Sequence, residues 1–192
     1  MSLFNSDRSW GWPARLLHWL SAAVILFMLG LGFYMANFVQ SMITQLELTQ
    51  LHKSIGFVAF VLAVIRIGWR LANPAPALPR HMSPLERRLA HGSHFLLYVL
   101  IVVMPVSGWL MASASPLNDA DAYPVQIRNM VFGLFELPDP WQPGDEALSE
   151  ALWTVHFGAG VLLSVLVLGH IAAAVKHQSI DRDGLIRRMI LG

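Results

Sequence analysis

Three long stretches of the chain contain no charged residue. No Asp, Glu, Lys or Arg occurs in 16–46, in 89–118 or in 151–175. Each stretch exceeds the roughly 20 residues that an α-helix needs to cross the hydrocarbon core of a bilayer. A fourth apolar stretch, about 50–72, is interrupted by Arg66. Only helices and closed barrels satisfy their backbone hydrogen bonds in lipid, and these stretches lack the alternating pattern of barrel strands.

The sequence therefore predicts an all-α fold, a four-helix transmembrane bundle that forms one integral-membrane domain over residues 1–192. The predicted helices are about 14–36, 50–72, 86–111 and 149–177. The low content of charged residues agrees, since 13% compares with roughly 25% in soluble domains. The first apolar run is longer than the roughly 7–15 residues of a signal-peptide core, so we expect it to be retained as the first helix.

Basic residues collect on one side of this predicted topology. With four spans, both termini and the loop between helices 2 and 3 share one side, which holds eleven basic residues: Arg8, Arg15, Arg66, Arg70, Arg80, Arg87, Arg88, Lys176, Arg182, Arg187 and Arg188. The other side holds two, Lys53 and Arg128, and most of the acids: Glu47, Asp119, Asp121, Glu136, Asp139, Asp145, Glu146 and Glu150. By the positive-inside rule, both termini are predicted to be cytoplasmic.

The predicted outer loop, 112–148, is long enough to carry structure of its own. Within it, the sequence "VQIRNMVFGLFEL" (125–137) mixes apolar and polar residues at roughly helical spacing. Two interpretations stay open. One is a short helix that lies in the membrane interface, and the other is an irregular loop packed on the bundle.

Histidines occur inside the predicted spans, where ionisable side chains are costly and usually face the interior of the bundle. His156 and His170 are fourteen residues apart, a rise of about 21 Å along nearly one face of helix 4. His18 lies near the cytoplasmic end of helix 1, and His52 near the outer end of helix 2. The alternating topology places His18 with His170 in the cytoplasmic half, and His52 with His156 in the outer half.

Two imidazoles at each of two depths are the pattern expected for two bis-histidine haems stacked across the membrane. The chain has no cysteine, so such haems would be noncovalent, b-type groups. A zinc site would gather three or four ligands at one depth, often with carboxylates, and fits less well. Taken singly, each histidine is better interpreted as a hydrogen-bonded core residue, and only the pairing of all four by depth favours haem.

Four further residues are candidates for the surroundings of the cytoplasmic haem. Arg66 lies fourteen residues after His52 and should reach that level, where its guanidinium suits a haem propionate. A snorkelling arginine is the alternative. His94, about two turns into helix 3, could be a fifth haem ligand, but we favour a hydrogen bond to a propionate or a quinone, because His18 and His170 already complete that site. Arg15 and His177 are candidates for a quinone site, although His177 could equally be an ordinary interfacial histidine.

Several stretches, covering the chain nearly end to end, carry a resemblance. They are "ARLLHW" (14–19), "LHKSIGFVAFVLAVIRIGWRLANPAP" (51–76), "LAHGSHFLLYVLIVVMPVSGWLM" (89–111), "VFGLFELP" (131–138), "HFGAGVLLSVLVLGHIAAAVKH" (156–177) and "DRDGLIRRMI" (181–190). Together they resemble the bacterial cytochrome b561 family of small diheme membrane cytochromes. The resemblance implies that the axial haem ligands are His18, His52, His156 and His170. It also places Arg66, His94 and His177 at family positions.

The resemblance implies electron transfer through two b-type haems between a periplasmic-side donor and ubiquinone or another membrane quinone. It implies a multi-pass protein of the bacterial inner membrane whose partners are the lipid bilayer, the quinone and an outer donor or redox partner protein. Superoxide is one candidate donor, which would make the chain a quinone-linked oxidoreductase of the superoxide oxidase type. The acid-rich outer side argues against steering of that anion, so whether the chain is an enzyme stays open.

Two other functions stay open. The first is a haem-bearing membrane anchor of a larger dehydrogenase or hydrogenase, with no activity of its own. The second is a metal or proton transporter that uses the same histidines and binds no haem.

Overall fold

The computed structural model describes residues 2–79, 82–119, 128–141 and 144–191. Within these residues, four helices are long and apolar enough to cross a membrane. They are α1 (Trp12–Asn37), α2 (Met42–Ala72), α3 (Pro84–Ala114) and α4 (Glu146–Lys176). The predicted all-α fold with four transmembrane helices is therefore confirmed.

Polar side chains fix where α2 and α3 begin. Ser41 caps α2 by accepting a hydrogen bond from the Thr44 N–H at 3.4 Å. As a result α2 begins at Met42, eight residues before the apolar stretch that defined the predicted span. At the start of α3, Ser83 and Glu86 form a reciprocal capping box, which satisfies N–H groups that the helix itself leaves unpaired.

Contacts at the helix ends show that consecutive helices run in opposite directions. Arg15, near the start of α1, contacts Ile190 close to the end of the chain. Lys176, at the end of α4, pairs with Glu86 at the start of α3, with 3.0 Å between Nζ and Oε1. We call this end of the bundle the termini end. The opposite end carries the segment between α3 and α4, and we call it the loop end.

A turn and a short helix follow α4 at the termini end. Residues His177–Asp181 form one turn of π-helix, and Leu185–Ile190 form α5. Arg15 and Trp19 of α1 donate to backbone carbonyls at the end of α5, at 2.8 and 2.9 Å. The last turn of the chain is thus fixed against the first helix.

The loop end carries a β-hairpin where one of the two interpretations placed an interfacial helix. Strand Met130–Val131 pairs with Phe135–Glu136 in antiparallel fashion. Between them, Phe132 and Gly133 have φ values of 49° and 69°, the left-handed conformation that two-residue hairpin turns use and that a right-handed helix excludes. The interpretation as an interfacial helix is therefore wrong for this part of the segment, and residues 125–127 lie outside the described residues.

Hydrogen bonds tie this hairpin to α2 and α3. The hydroxyl of Ser54 on α2 accepts from the Phe132 N–H at 2.9 Å. The buried side chain of Asn129 donates to Ser113 Oγ on α3 at 3.2 Å. The hairpin therefore covers the loop end next to His52, which lies two residues before Ser54.

Candidate functional site

Two histidine rings, from α2 and α4, meet near the loop end. The ring centroids of His52 and His156 lie 6.2 Å apart, and the ring planes are 76° from parallel. We call these residues the loop-side pair. His156 Nδ1 lies 3.0 Å from the Met104 carbonyl oxygen and 3.1 Å from Ser107 Oγ. Because a carbonyl only accepts hydrogen bonds, Nδ1 carries the proton of the neutral ring and Nε2 keeps a free lone pair.

Two more histidine rings, from α1 and α4, meet near the termini end. The ring centroids of His18 and His170 also lie 6.2 Å apart, with the ring planes at 57°, and we call these residues the termini-side pair. Arg66 of α2 donates from Nη2 to His18 Nδ1 at 3.0 Å. The same guanidinium lies over the ring of Tyr98, 5.4 Å from its centroid. A permanent cation therefore adjoins this pair.

A third histidine adjoins the termini-side pair. The ring of His94 on α3 is edge-on to that of His170, with the centroids 5.5 Å apart. This separation is shorter than the 6.2 Å found in both pairs. The structure thus brings three histidines together near the termini end, and one combination of them, His18 with His170, repeats the spacing of the loop-side pair.

The spacing within both pairs fits a haem iron held between two imidazoles. A ring nitrogen lies about 2 Å from a bound transition metal, so two rings on opposite sides of one ion have centroids about 6 Å apart. The helix α4 packs along α3, whereas its backbone contacts with α1 and α2 are few. Within the described residues, His52 Nδ1 is buried and has no hydrogen-bond partner. These features suit a further group between α4 and the α1–α2 layer.

The helix α3 makes room for the loop-side pair with small residues. A Cβ atom at Gly108 would lie 3.0 Å from His156 Cε1 and 3.3 Å from His156 Nδ1, closer than ordinary van der Waals contact. The preceding residue, Ser107, is buried against the same ring. A larger side chain at Gly108 would therefore displace the imidazole of His156.

Buried apolar side chains separate the two pairs. Leu163 lies midway between the two histidines of α4, seven residues from each, and is 3% exposed. On α3, Leu100 and Ile101 are also buried, about midway between His94 and Ser107. The two α4 histidines are about 21 Å apart along the helix axis. The pairs therefore occupy separate levels with packed side chains between them.

Two of the residues predicted for a quinone site have partners of their own. Arg15 is buried, and its Nη1 donates to the Ile190 carbonyl at 2.8 Å, while its Nε has no partner among the described residues. His177 Nδ1 lies 2.7 Å from Asp183 Oδ2 and 3.0 Å from Asp181 Oδ2. Within the part of the chain that the structure describes, no hydrogen bond joins Arg15 to His177.

Some partners in this site have a sequence signal and others do not. Nothing in the sequence indicates that the Met104 carbonyl and Ser107 contact His156, because the match depends on how α3 and α4 pack. The partner of His177 could have been predicted from the sequence. Asp183 lies six residues after His177 in a segment that leaves the helix, where an acid can turn back towards the histidine.

Comparison with known proteins covers nearly the whole chain. A family model described as prokaryotic cytochrome b561 matches residues 9–192. The chain is similar to cytochrome b561 homolog 2 of Escherichia coli (strain K12), with 31% identity over 190 residues, which cover 99% of this chain and 95% of the relative. It is also similar to the Yersinia pestis protein named Probable superoxide oxidase CybB, with 28% identity over 141 residues, which cover 73% of each chain.

Proposed function

The chain belongs to the prokaryotic cytochrome b561 family of haem-b-binding membrane electron-transfer proteins, and we propose that it carries electrons between a donor at the loop end and a quinone at the termini end. Haem iron supplies reversible one-electron transfer when it is bound. We propose one haem for each histidine pair. The observation that carries this proposal is the common centroid spacing of 6.2 Å at two levels of α4.

The contacts of His156 support its role as an axial ligand. The Met104 carbonyl accepts a hydrogen bond from Nδ1, so the ring is held in the tautomer whose Nε2 can bind iron. A hydrogen bond of this kind also fixes the orientation of a ligating imidazole and raises its basicity. Gly108 leaves the space in which the ring sits.

The apolar level between the pairs supports transfer along α4 rather than two unrelated sites. Leu163 is buried between the two α4 histidines, so an apolar side chain occupies the space between the levels. Burial and low solvent access are among the means by which proteins set the potential of a haem. Two levels within one bundle can therefore hold haems of different potential.

We place the quinone at the termini end, where His94, His177 and Arg15 lie. Reduction of one quinone takes up two electrons and two protons. His177 is held by Asp183 at 2.7 Å, and an imidazole next to a carboxylate can relay protons. The buried Nε of Arg15 has no partner among the described residues, so it is available as a donor to a quinone carbonyl.

We propose that both termini are in the cytoplasm and that the membrane is the bacterial inner membrane. The support is the distribution of basic residues, eleven on the side of the termini and two on the other, which favours this orientation. The loop end would then face the periplasm, and electrons and protons would reach the quinone from opposite sides.

A narrower candidate function names superoxide as the donor. It is favoured by the similarity to the Yersinia pestis relative, which is named Probable superoxide oxidase CybB. The charges at the loop end oppose it, because Arg128 is already paired with Glu136 at 3.3 Å and the segment is rich in acids.

Rapid mixing with superoxide at several salt concentrations tests this candidate. A steered anion reduces the haems more slowly as salt rises, and a repelled anion reduces them faster. No reduction would exclude superoxide.

Haem content and quinone-linked oxidation test the proposed function itself. We expect two haems per chain, all of them extracted by acid–acetone, and reoxidation of the reduced protein by a short-chain ubiquinone. One haem per chain would overturn the two-site proposal, and a colourless protein would favour the transporter. Stable co-purification of a redox enzyme from native membranes would favour the membrane anchor.

A further inference from the structure

The guanidinium of Arg66 gives the termini-side pair a positive charge that is not neutralised nearby. Its Nη2 lies 3.0 Å from His18 Nδ1, and the residue is half-buried on α2. The ring of His170 lies 6.2 Å from that of His18, centroid to centroid, and the ring of His94 lies 5.5 Å from that of His170. Among the described residues, Arg66 makes no ion pair with a carboxylate. Arginine stays charged at any pH at which the protein is folded.

The loop-side pair has the opposite surroundings. His156 donates from Nδ1 to a neutral acceptor, the Met104 carbonyl. Lys53, the residue after His52, directs its Nζ to the Arg128 carbonyl at 2.7 Å. Lys53 also contacts Asn129, which donates to the Asp139 carboxylate at 2.7 Å, and Arg128 pairs with Glu136 at 3.3 Å. The positive charge at this level is therefore offset.

The two environments act on a bound iron in opposite directions. A positive charge favours the reduced, less positive state of the iron and so raises its reduction potential. A hydrogen bond from the second ring nitrogen to a carbonyl makes an imidazole a stronger electron donor and so lowers the potential. A guanidinium has only donors. The hydrogen bond from Arg66 therefore needs an unprotonated His18 Nδ1. When His18 binds iron through Nε2, the neutral ring carries its proton on Nδ1, so this hydrogen bond is lost and the guanidinium acts on the iron through its charge alone.

We propose that Arg66 raises the reduction potential of the haem at the termini-side pair above that of the haem at the loop-side pair. This inference rests on the proposed two-haem function. It gives the reason why electrons would move from the loop end to the termini end. An electron given by a one-electron donor at the loop end moves to the termini end, and two such electrons, with two protons, reduce one quinone. A contact between Arg66 and a haem propionate would leave the sign unchanged, because removing the guanidinium still removes a positive charge.

Redox titration of single-haem variants tests the order of the two potentials. His52→Ala is expected to keep the haem at the termini-side pair, and His18→Ala the haem at the loop-side pair. Each purified variant is titrated while its visible absorption is followed. The haem that remains in His52→Ala should have the higher potential. Equal potentials, or the reverse order, would overturn the inference.

Substitution of Arg66 tests the cause. Arg66→Gln should lower the potential of the termini-side haem so that its equilibrium constant for reduction falls at least tenfold, about 59 mV for a one-electron couple. Arg66→Lys keeps the charge and should give a smaller shift. The matched control is Arg70→Gln, which removes an exposed charge one turn further along α2 and should shift the potential less, because solvent screens it.

The outcomes separate this inference from the proposed function. A shift in Arg66→Gln no larger than in Arg70→Gln would overturn the role of Arg66 while leaving both haems in place. If Arg66→Gln lost its termini-side haem, Arg66→Lys and the order of potentials in the single-haem variants would decide. Failure of the proposed function would instead appear in the unsubstituted protein, as one haem per chain.

Discussion

The termini-side pair and the loop-side pair have the same spacing but different surroundings. In both, one histidine of α4 faces a histidine of another helix with ring centroids 6.2 Å apart. His156 is bonded to a backbone carbonyl, whereas His18 is bonded to a guanidinium. The ends of the bundle also differ, since a hairpin closes one and α5 closes the other.

The comparison separates what α4 determines from what its neighbours determine. A fourteen-residue interval on one helix returns a side chain to nearly the same face, so both α4 histidines turn towards the same space. The contacts behind each ring come from α2 and α3, whose sequences differ between the levels. Identical ligands can therefore hold groups with different potentials.

The largest expected effect is the loss of one haem with one histidine. His52→Ala or His156→Ala should remove the loop-side haem, and His18→Ala or His170→Ala the termini-side haem. Each variant should contain one haem per chain instead of two, as measured by the pyridine haemochrome method. If His18→Ala and His156→Ala removed the same haem, the assignment of the levels would be wrong.

A smaller effect, confined to the loop-side pair, is expected for Gly108→Ala. The added Cβ would lie 3.0 Å from the His156 ring, so we expect partial loss of the loop-side haem. Gly158→Ala is the matched control, because a Cβ at that position meets nothing within 4 Å. Since alanine favours helix by roughly 0.5–1 kcal/mol over glycine, the control should keep both haems with unchanged or higher thermal stability. Equal haem content in the two variants would contradict the close approach of α3.

A change in stability without loss of haem is expected for Ser54→Ala. The Ser54 hydroxyl accepts from the Phe132 N–H at 2.9 Å, and leaving that group unpaired costs about 1–3 kcal/mol. Limited proteolysis should cut the hairpin segment faster than in the unsubstituted protein. Ser164→Ala is the control, because among the described residues its hydroxyl bonds only within α4, to the Gly160 carbonyl. Equal cleavage rates would show that Ser54 does not hold the hairpin.

The smallest structural effect is expected for His177→Ala. This residue is two turns beyond His170, so both haem spectra should stay unchanged. Oxidation of the reduced protein by a short-chain quinone should become several-fold slower, as followed by stopped-flow absorption. Asp183→Asn should give the same result, because Asp183 holds the His177 ring at 2.7 Å. An unchanged rate in both variants would remove this dyad from the proton path.

The sequence was sufficient to predict the four spans and which two of the four paired histidines share each level. Both depend on quantities that one chain carries by itself, namely the length of its charge-free stretches and the rise of a helix per residue. Arg66 was predicted to reach the level of His18 for the same reason. Its bond to the His18 ring was not, since the neighbours of a long side chain depend on how the helices pack.

The hairpin and the start of α2 show where this reasoning fails. Phe132 adopts a left-handed conformation, which local preferences assign to Asn, Asp or Gly. It is held there by Ser54, 78 residues away in the sequence. The start of α2 depends on the cap at Ser41. The hydropathy of the span gives no signal for that cap. Both features arise from specific hydrogen bonds, which apolar periodicity cannot indicate.

Haem content in three double variants tests most directly whether the four histidines act as these two pairs. His52→Ala combined with His156→Ala empties one level and should leave one haem per chain. His52→Ala combined with His170→Ala breaks both levels and should leave none. His18→Ala combined with His170→Ala serves as a second same-level control and should again leave one. A haem retained by the cross-level variant, or lost from both same-level variants, would contradict the pairing.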